Sequence, residues 1–437
     1  MTARELADAA FARAVQACAL DRRVAEALAG LALQPPLAGA RRRLGIAIGK
    51  AALAMARGAP VDRGVAVVPV GSGALGRGAS DSGAGDAAGQ GVPPGWRVLE
   101  AAHPAPDERS EAAGRAVREL VAGADPGDVV IALVSGGASA LVEVPRVPLG
   151  ELRALAGALM AAGAPISELN AVRGALSELK AGGLALACAA PIVTLVASDV
   201  IGDRLDVIGS GPTIGPWLAA PGAPVEVGLA EDARRQAAIA ILERRGLAVP
   251  SVLVAPVPPR RVTRADRAVL VAPMAAFADA ACESLAAAGV RARRLDPPLE
   301  GDVAAAARRL AAEAPPFVAW GEPTLRVPAD HGEGGRAQQL ALELARLLRG
   351  AGGAFLVAGS DGVDGPPPAV RPSPAGAFVD GATWDAITAA GADPALAIAR
   401  CDAGPALAAA SALFVPGPTG VNHADVVIAL APVADLS

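Results

Sequence analysis

The sequence contains no tyrosine, and phenylalanine and tryptophan together make up only 2% of its 437 residues. Aromatic rings supply the stacking surfaces that bind single-stranded nucleic acid, and duplex binding requires a strongly basic surface. This chain offers neither, because its formal net charge is −5 and its longest basic run is Arg41-Arg42-Arg43. Nucleic acid is therefore not an expected partner. Hydrophobic residues still make up 53% of the chain, so we expect aliphatic cores large enough for two or three domains.

Long apolar runs and paired cysteines are also lacking. The two longest apolar candidates, 184–197 and 268–278, are interrupted at Pro191 and stopped at Asp279, so neither reaches the roughly 20 residues of a membrane span. The first 23 residues show an amphipathic helix pattern with early acidic residues rather than a secretion signal, which predicts a cytoplasmic protein. The four cysteines have no CxxC spacing, so neither a disulfide framework nor a zinc site is expected.

Short apolar runs alternate with helix-length segments along the whole chain. Near-continuous apolar strands separated by helices are typical of a parallel sheet covered on both faces, so we predict an α/β fold class. Between 214 and 228 the sequence has three prolines and no periodicity, which predicts a boundary between domains of residues 1–222 and 223–437. The strands are expected at 44–48, 65–70, 128–134 and 192–198, and then at 268–273, 317–324, 354–362 and 425–430.

Three features of the first half are candidates for binding an anion or a nucleotide. Residues 71–76 match GxGxxG, but glycine and serine continue to Gly91 where a dinucleotide site requires a helix. At Ser135-Gly136-Gly137, followed by Ser139, successive amides at a strand end can hold an anion, although a tight turn explains the glycines equally well. Lys50 follows another strand, at the edge where α/β sheets bind ligands, and a solvated lysine is the open alternative.

The segment 166–180 predicts a helix with two distinct faces. Asn170, Arg173, Ser177 and Lys180 follow one another at spacings of 3, 4 and 3, which places them along one side of a helix. Leucine and valine residues form a separate apolar stripe. The polar side is either a cationic binding surface or an ordinary solvated face.

An acidic loop follows the next predicted strand. Asp199, Asp203 and Asp206 lie close together in this loop. Mg²⁺ takes one or two carboxylates and fills its remaining positions with phosphate oxygens and water, so Asp199 and Asp203 are candidate magnesium ligands. Aspartates that cap turns are the structural alternative.

The second half adds polar loops that are bounded by glycines and lie beside predicted strands or helices. They contain Glu322, Arg336, Asp361 and Asn422. Each of these loops alone is ordinary. Together with the loops of the first half, they predict a binding cleft between the two domains.

Taken in order, these motifs resemble those of the glycerate 2-kinases, a family whose C-terminal half is called the MOFRL domain. The resemblance covers nearly the whole chain. It implies a Rossmann-like parallel-sheet N-terminal domain, a second α/β (MOFRL) domain, and an active site in the interdomain cleft. It also implies phosphorylation of the 2-hydroxyl of D-glycerate with ATP and Mg²⁺. The segments that carry it are GKAALAMA (49–56), HPAPDE (103–108), SGGASAL (135–141), SDVIGDRLDVIGSGPT (198–213), GEPT (321–324), GGRAQQ (334–339), SDGVDG (360–365) and GPTGVN (417–422).

Combining this resemblance with the loops above gives a working assignment of roles. Lys50, Arg336 and Asp199 are assigned to catalysis, and Asp199 or Asp203 to Mg²⁺. The partners implied are D-glycerate and ATP, and homo-oligomer formation is left open. The residues assigned to ATP are Ser135, Gly136, Gly137, Ser139, Asn170, Arg173, Lys180, Asp361 and Asn422.

Two other functions stay open. An NAD(P)H-dependent hydroxypyruvate reductase would act on the same carbon skeleton, but it requires a working dinucleotide motif at 71–76. A non-catalytic binding protein would keep the cleft and lose phosphoryl transfer through Ala337 and Gln339, where the family has Asn and Glu. His103 is expected to shape the turn before Pro104, because phosphoryl transfer does not need an imidazole.

Overall fold

The computed structural model describes residues 1–72, 91–366 and 372–432. Residues 73–76 of the predicted GxGxxG motif lie outside the described residues. The helices are α1 (Ala3–Ala17), α2 (Leu20–Leu31), α3 (Ala52–Arg57), α4 (Glu108–Ala122), α5 (Ala138–Leu141), α6 (Leu149–Ala161), α7 (Ile166–Ala175), α8 (Gly183–Leu186), α9 (Gly228–Arg244), α10 (Ser251–Val254), α11 (Ala276–Ala287), α12 (Val303–Ala311), α13 (Arg336–Leu347), α14 (Thr383–Ala389), α15 (Pro394–Ala399) and α16 (Ala403–Ala409). The strands are β1 (Arg43–Ile48), β2 (Arg63–Pro69), β3 (Trp96–Ala101), β4 (Val129–Val134), β5 (Ile192–Ala197), β6 (Pro224–Glu226), β7 (Arg261–Thr263), β8 (Arg267–Ala272), β9 (Arg293–Arg294), β10 (Phe317–Gly321), β11 (Ala354–Gly359), β12 (Gly376–Asp380), β13 (Leu413–Phe414) and β14 (Asp425–Leu430).

The chain divides into two compact units. The parallel-sheet unit comprises Leu20–Ala272, and the mixed-sheet unit comprises Met1–Ala19 together with Pro273–Ser437. Helix α1 belongs to the mixed-sheet unit because Phe11 packs its ring against Phe277 of α11 and Phe414 of β13, at centroid distances of 5.1 and 5.0 Å.

The parallel-sheet unit is built on six parallel strands in the order β3-β2-β1-β4-β5-β8. These strands are apolar on both faces because helices cover both sides: in β1, Ile46 and Ile48 pack into one core cluster and Ala47 into the other. The predicted α/β class is confirmed. The strand predicted at 268–273 was expected in the second domain, residues 223–437. In the structure it is β8, the edge strand of the first sheet.

The predicted boundary between residues 222 and 223 falls inside the parallel-sheet unit. Residues beyond it complete that unit, since α9 packs on α7 and β8 pairs with β5. The proline-rich segment before it is not a linker, because Trp217 is buried in the core of the unit. The prolines therefore mark an irregular loop within the parallel-sheet unit, which continues to Ala272.

The mixed-sheet unit contains a second six-stranded sheet, in the order β13-β12-β11-β14-β10-β9. Its strands pair antiparallel except for β10 with β9. Helices α12 and α13 share an apolar cluster with strands β10, β11 and β12. Among the helices in the described part of the chain, none is long and apolar enough to cross a lipid bilayer.

Candidate functional site

The carboxyl edge of the parallel sheet brings several predicted site residues together. The chain runs outward from β1 through β2 to β3 on one side and from β4 through β5 on the other, so the strand order reverses between β1 and β4. Open α/β sheets bind ligands at this switch point. Lys50 follows β1 and Ser135 follows β4, and the two loops are joined by hydrogen bonds. The Lys50 amide donates to the Gly136 carbonyl at 2.9 Å, and the Ala51 amide donates to Ser135 Oγ at 3.2 Å.

Gly137 allows two side chains to approach the loop after β4. Its φ of +83° is a conformation that favours glycine. A Cβ atom built there would lie 3.2 Å from His103 Nε2 and 3.3 Å from Lys50 Cγ. From the sequence, His103 was expected to shape a turn, whereas in the structure its ring lies against this loop and beside Lys50.

Asp199 completes the cluster from the end of β5. A Cβ atom on Gly136 would collide with its carboxylate, so the carboxylate packs directly against the backbone of the loop. Burial lowers the pKa of His103, Lys50 lowers it further, and Asp199 opposes the shift. We call Lys50, His103, Ser135–Gly137 and Asp199 the parallel-sheet cluster. The side chains of Lys50 and His103 are exposed and form no hydrogen bond or ion pair with another residue of the described ranges.

Lys180 does not join this cluster. Its ammonium forms an ion pair with Glu143, and the two side chains are 2% and 0% exposed. Ser177 Oγ donates to the other oxygen of Glu143 at 2.5 Å. Burial lowers the pKa of Lys180, with Glu143 opposing this shift. An ammonium that is enclosed and paired in this way is not available to an ATP phosphate, contrary to the expectation from the sequence.

The predicted helix over 166–180 ends early, which explains the position of Lys180. Helix α7 stops at Ala175, and the Glu178 amide then donates to the Val144 carbonyl at 2.8 Å in a strand-like pairing. The polar stripe is therefore split between two structures. Arg173 lies on the helix and donates from Nη2 to the Ser139 carbonyl at 3.0 Å, so it supports the turn after the Ser135–Gly137 loop.

Ser139 and Asn170 differ in how the structure uses them. Ser139 Oγ lies 2.9 Å from Ser210 Oγ, a contact that joins the start of α5 to the loop containing Ser210. Asn170 is half-buried on α7.

The carboxylates of the acidic loop fit magnesium in their chemistry. Asp199 and Asp203 offer the hard oxygen ligands that Mg²⁺ prefers, and this ion needs only one or two of them. Within residues 1–72, 91–366 and 372–432, no group of three or more His, Cys, Asp or Glu residues is arranged to hold a metal ion. Asp206, the third acid of this loop, is paired with Arg204.

Arg336 is the first residue of α13 in the mixed-sheet unit, and two aspartates fix it. Asp364 caps the helix by accepting from the amides of Ala337 and Gln338 at 3.0 and 2.8 Å. Asp425, at the start of β14, accepts hydrogen bonds from Arg336 Nε at 2.6 Å and from Arg336 Nη2 at 3.1 Å. Asp364 therefore fixes the start of the helix, and Asp425 fixes the guanidinium.

Glu322 adds a third carboxylate to this arrangement, which we call the mixed-sheet cluster (Glu322, Arg336, Asp364 and Asp425). Arg336 Nη1 donates to Glu322 at 2.9 Å. Burial lowers the pKa of Arg336, but Asp425 and Glu322 outweigh it and the net shift is upward. Burial raises the pKa of Asp425 to about 6, with Arg336 opposing. The Asp425 side chain is 4% exposed and that of Glu322 is 52% exposed, so only Glu322 can readily move away.

Asp361 and Asn422 lie on two loops at the same sheet edge. The Thr419 amide donates to the Asp361 carbonyl at 3.0 Å, and Thr419 Oγ1 donates to the Ser360 carbonyl at 2.6 Å, so the loops are tied together. The side chains of both predicted residues are exposed.

Ala337 and Gln339 both face the interior. Ala337 is fully buried in the core cluster, and Gln339 donates from Nε2 to the Ile398 carbonyl at 3.0 Å. These two positions therefore determine how α13 is supported, and their side chains are not presented to a ligand.

Comparison with known proteins identifies the family. The sequence matches the MOFRL family over residues 316–425 and a domain of unknown function, DUF4147, over residues 6–219. It is 32% identical to the D-glycerate 2-kinase of Thermotoga maritima, over 98% of each chain. The chain belongs to the glycerate 2-kinase family.

Two solved structures share the fold of this chain. A glycerate kinase of Thermotoga maritima superposes with a TM-score of 0.80 at 31% identity, covering 98% of this chain and 99% of that one. A protein of Pyrococcus horikoshii gives 0.77 at 26% identity, with 99% of both chains covered. Another relative, from Agrobacterium vitis, is 36% identical over 77% of this chain and 78% of its own length, and it carries a provisional name as a hydroxypyruvate reductase.

The scarcity of lysine is a further sequence signal for the candidate site. Of the 39 Lys and Arg residues in the chain, only Lys50 and Lys180 are lysines. Lysine is not interchangeable with arginine, because it carries a compact ammonium on a flexible stem. One of these lysines lies in the parallel-sheet cluster and the other in the buried ion pair. His103, Glu143 and Asp425 gave no comparable signal, because their partners are distant in sequence.

Proposed function

We propose that this protein is an ATP-dependent kinase that transfers a phosphoryl group to the 2-hydroxyl of D-glycerate. The observation that carries the proposal is the parallel-sheet cluster: a lysine with no ion-pair partner among the described residues, a glycine-rich strand end and an aspartate meet at the switch point of the sheet. Membership of the glycerate 2-kinase family supports it, as does the D-glycerate 2-kinase relative that matches along nearly the whole chain.

Phosphoryl transfer requires the protein mainly to position the groups and to stabilise negative charge. In the proposed mechanism, Lys50 and the amides of Ser135–Gly137 bind phosphate oxygens. Asp199 and Asp203 would hold Mg²⁺, which when bound neutralises phosphate charge. An aspartate of the same loop would accept the proton that leaves the attacking hydroxyl.

Arg336 is proposed to bind the substrate carboxylate or the transferring group. A guanidinium has five N–H donors. Asp425 takes two of them and Glu322 takes one, so one donor is left on each terminal nitrogen. These two donors suit an anionic oxygen pair. Both clusters are proposed to serve one reaction, and the predicted interdomain cleft stays a prediction.

The buried pair of Lys180 and Glu143 is proposed to support the site from behind. Arg173 lies within electrostatic range of Glu143 and donates to the Ser139 carbonyl. The two cations and one carboxylate therefore carry a net positive charge beside the loop that binds the phosphates. Such a charge favours an anion there, even though Lys180 does not contact it.

A hydroxypyruvate reductase is the second candidate, favoured by the provisional name of the Agrobacterium vitis relative. It needs a dinucleotide site, and after the GxGxxG pattern at 71–76 the sequence continues with glycine and serine to Gly91, where such a site requires a helix. The sequence therefore favours the kinase.

A coupled assay of ADP release with D-glycerate, with and without Mg²⁺, tests the proposal. We expect release only when glycerate and Mg²⁺ are both present. The ³¹P signal of the product should be split by one proton, as for a phosphate on the 2-carbon, and not by two. Oxidation of NADH or NADPH by hydroxypyruvate without ADP release would favour the reductase instead.

A further inference from the structure

His103 follows the third strand of the parallel sheet and lies at its carboxyl edge. Strand β3 ends at Ala101, two residues before it. In a parallel sheet the carboxyl ends of all strands share one edge, so the chain after β3 lies on the side of Lys50, Ser135 and Asp199. His103 is therefore the contribution of a fourth strand to the same cluster.

The imidazole and Lys50 both approach Gly137 closely. Carbon Cδ2 and nitrogen Nε2 of His103 would lie 3.1 and 3.2 Å from a Cβ atom on Gly137, and Lys50 Cγ would lie 3.3 Å from it. The missing side chain of Gly137 is what makes room for both. The Lys50 stem and the imidazole edge therefore both lie beside the backbone of this loop.

The polar atoms of His103 are not used by the fold. Its side chain is exposed and donates to or accepts from no other residue in the described parts of the chain. Among these residues, both ring nitrogens are therefore left to solvent or to a ligand.

We propose that His103 binds the ligand directly, through a hydrogen bond from its ring to the anionic oxygen that Lys50 attracts. The inference rests on the proposed function and adds to it a ligand contact. Lys50 supplies charge, and the neutral imidazole supplies a directed N–H donor beside it. The proximity of Lys50 favours the neutral ring by lowering the pKa of His103, after burial. The oxygen belongs either to the carboxylate of the hydroxy acid or to a phosphate of ATP.

Three variants separate ligand binding from a structural role. His103→Ala removes the ring, His103→Gln keeps an Nε2–H donor at a similar distance from the backbone, and Glu108→Gln changes a nearby exposed residue as the control. A hydrogen bond to a charged group is worth enough to change affinity by roughly tenfold or more. We expect His103→Ala to raise the KM of one substrate by at least that factor with kcat less affected. His103→Gln should restore most of the lost affinity, and the urea midpoint of unfolding should be the same in these variants as in the wild type.

A titration that needs no turnover identifies the ligand. The chain has three histidines, so the imidazole proton signals are few and the His103 signal can be assigned with the variant. One sample receives D-glycerate alone, and a second receives a non-hydrolysable ATP analogue alone. A saturable shift of the His103 signal in one of them, matching the substrate whose KM rises, supports the proposal.

Unchanged KM values for both substrates, or a His103 signal that neither ligand moves, would overturn the role of His103 and leave the kinase proposal standing. If the wild-type protein releases no ADP with glycerate, the kinase proposal fails, and the titration alone then decides whether His103 binds a ligand.

Discussion

Replacing Lys180 with methionine should destabilise the parallel-sheet unit strongly. The change removes the cation from a pair whose side chains are 2% and 0% exposed, and it leaves the Glu143 carboxylate buried without its counter-charge. Breaking one partner of a buried ion pair costs about 3–5 kcal/mol. Met keeps most of the volume of the lysine stem, so the loss is electrostatic rather than a packing defect.

The matched control is the double variant Lys180→Met/Glu143→Gln. It removes both charges and keeps an oxygen that accepts the hydrogen bond from Ser177 Oγ. Since both partners of the pair become neutral, we expect it to recover most of the stability lost by the single variant.

Urea unfolding followed by tryptophan fluorescence measures this effect. Trp217 is buried, and its ring packs against the backbone of Gly182, two residues after Lys180, so it reports on this turn. A Lys180→Met protein as stable as the wild type, with a raised KM for ATP, would refute the structural role. It would return Lys180 to the phosphate site that the sequence suggested.

Two further predictions concern the clusters themselves. The value of kcat/KM should fall as the pH drops through about 6, because protonation of Asp425 removes the bidentate partner of Arg336. Asp425→Asn should abolish this acid limb of the pH profile. Between pH 6 and 4 the folded protein binds a proton at Asp425 that an unfolded aspartate, with a pKa near 4, does not bind, so this group should stabilise the fold more as the pH falls through that range. An acid limb of kcat/KM that is unchanged in Asp425→Asn would contradict the assignment of the limb to Asp425. Gly136→Ala should cut turnover at least tenfold, since the added methyl group collides with the Asp199 carboxylate. Normal turnover in that variant would mean that Asp199 is not held at this loop for catalysis.

The sequence predicted most of the longer strands because their signal is local, but it missed β3 and β12. Buried strands are continuous apolar runs, and those predicted at 44–48, 192–198 and 425–430 match β1, β5 and β14 within one residue at each end. Strand direction is not local. The second sheet is mostly antiparallel, and β8 joins the first sheet, because pairing depends on contacts between distant segments.

The candidate site was predicted only where a motif lies directly at a strand end. Lys50, Ser135 and Asp199 follow β1, β4 and β5, so their meeting follows from the topology of a parallel sheet. Lys180 was placed on a binding face by helical periodicity, but α7 ends at Ala175 and the lysine turns inward to Glu143. No periodicity could reveal that partner, since Glu143 lies 37 residues away in sequence.

The proposal that both clusters take part in one phosphoryl transfer is tested most directly by kcat for glycerate-dependent ADP release in Lys50→Ala, Arg336→Ala and the double variant. The exposed arginines Arg57 and Arg308 provide Arg→Ala controls in the two units. We predict that each single variant loses at least about 100-fold with its fold intact, and that the double variant loses little more than the worse single one, as for residues that act as a unit. Near-normal turnover in both single variants, or losses that simply multiply, would contradict the account.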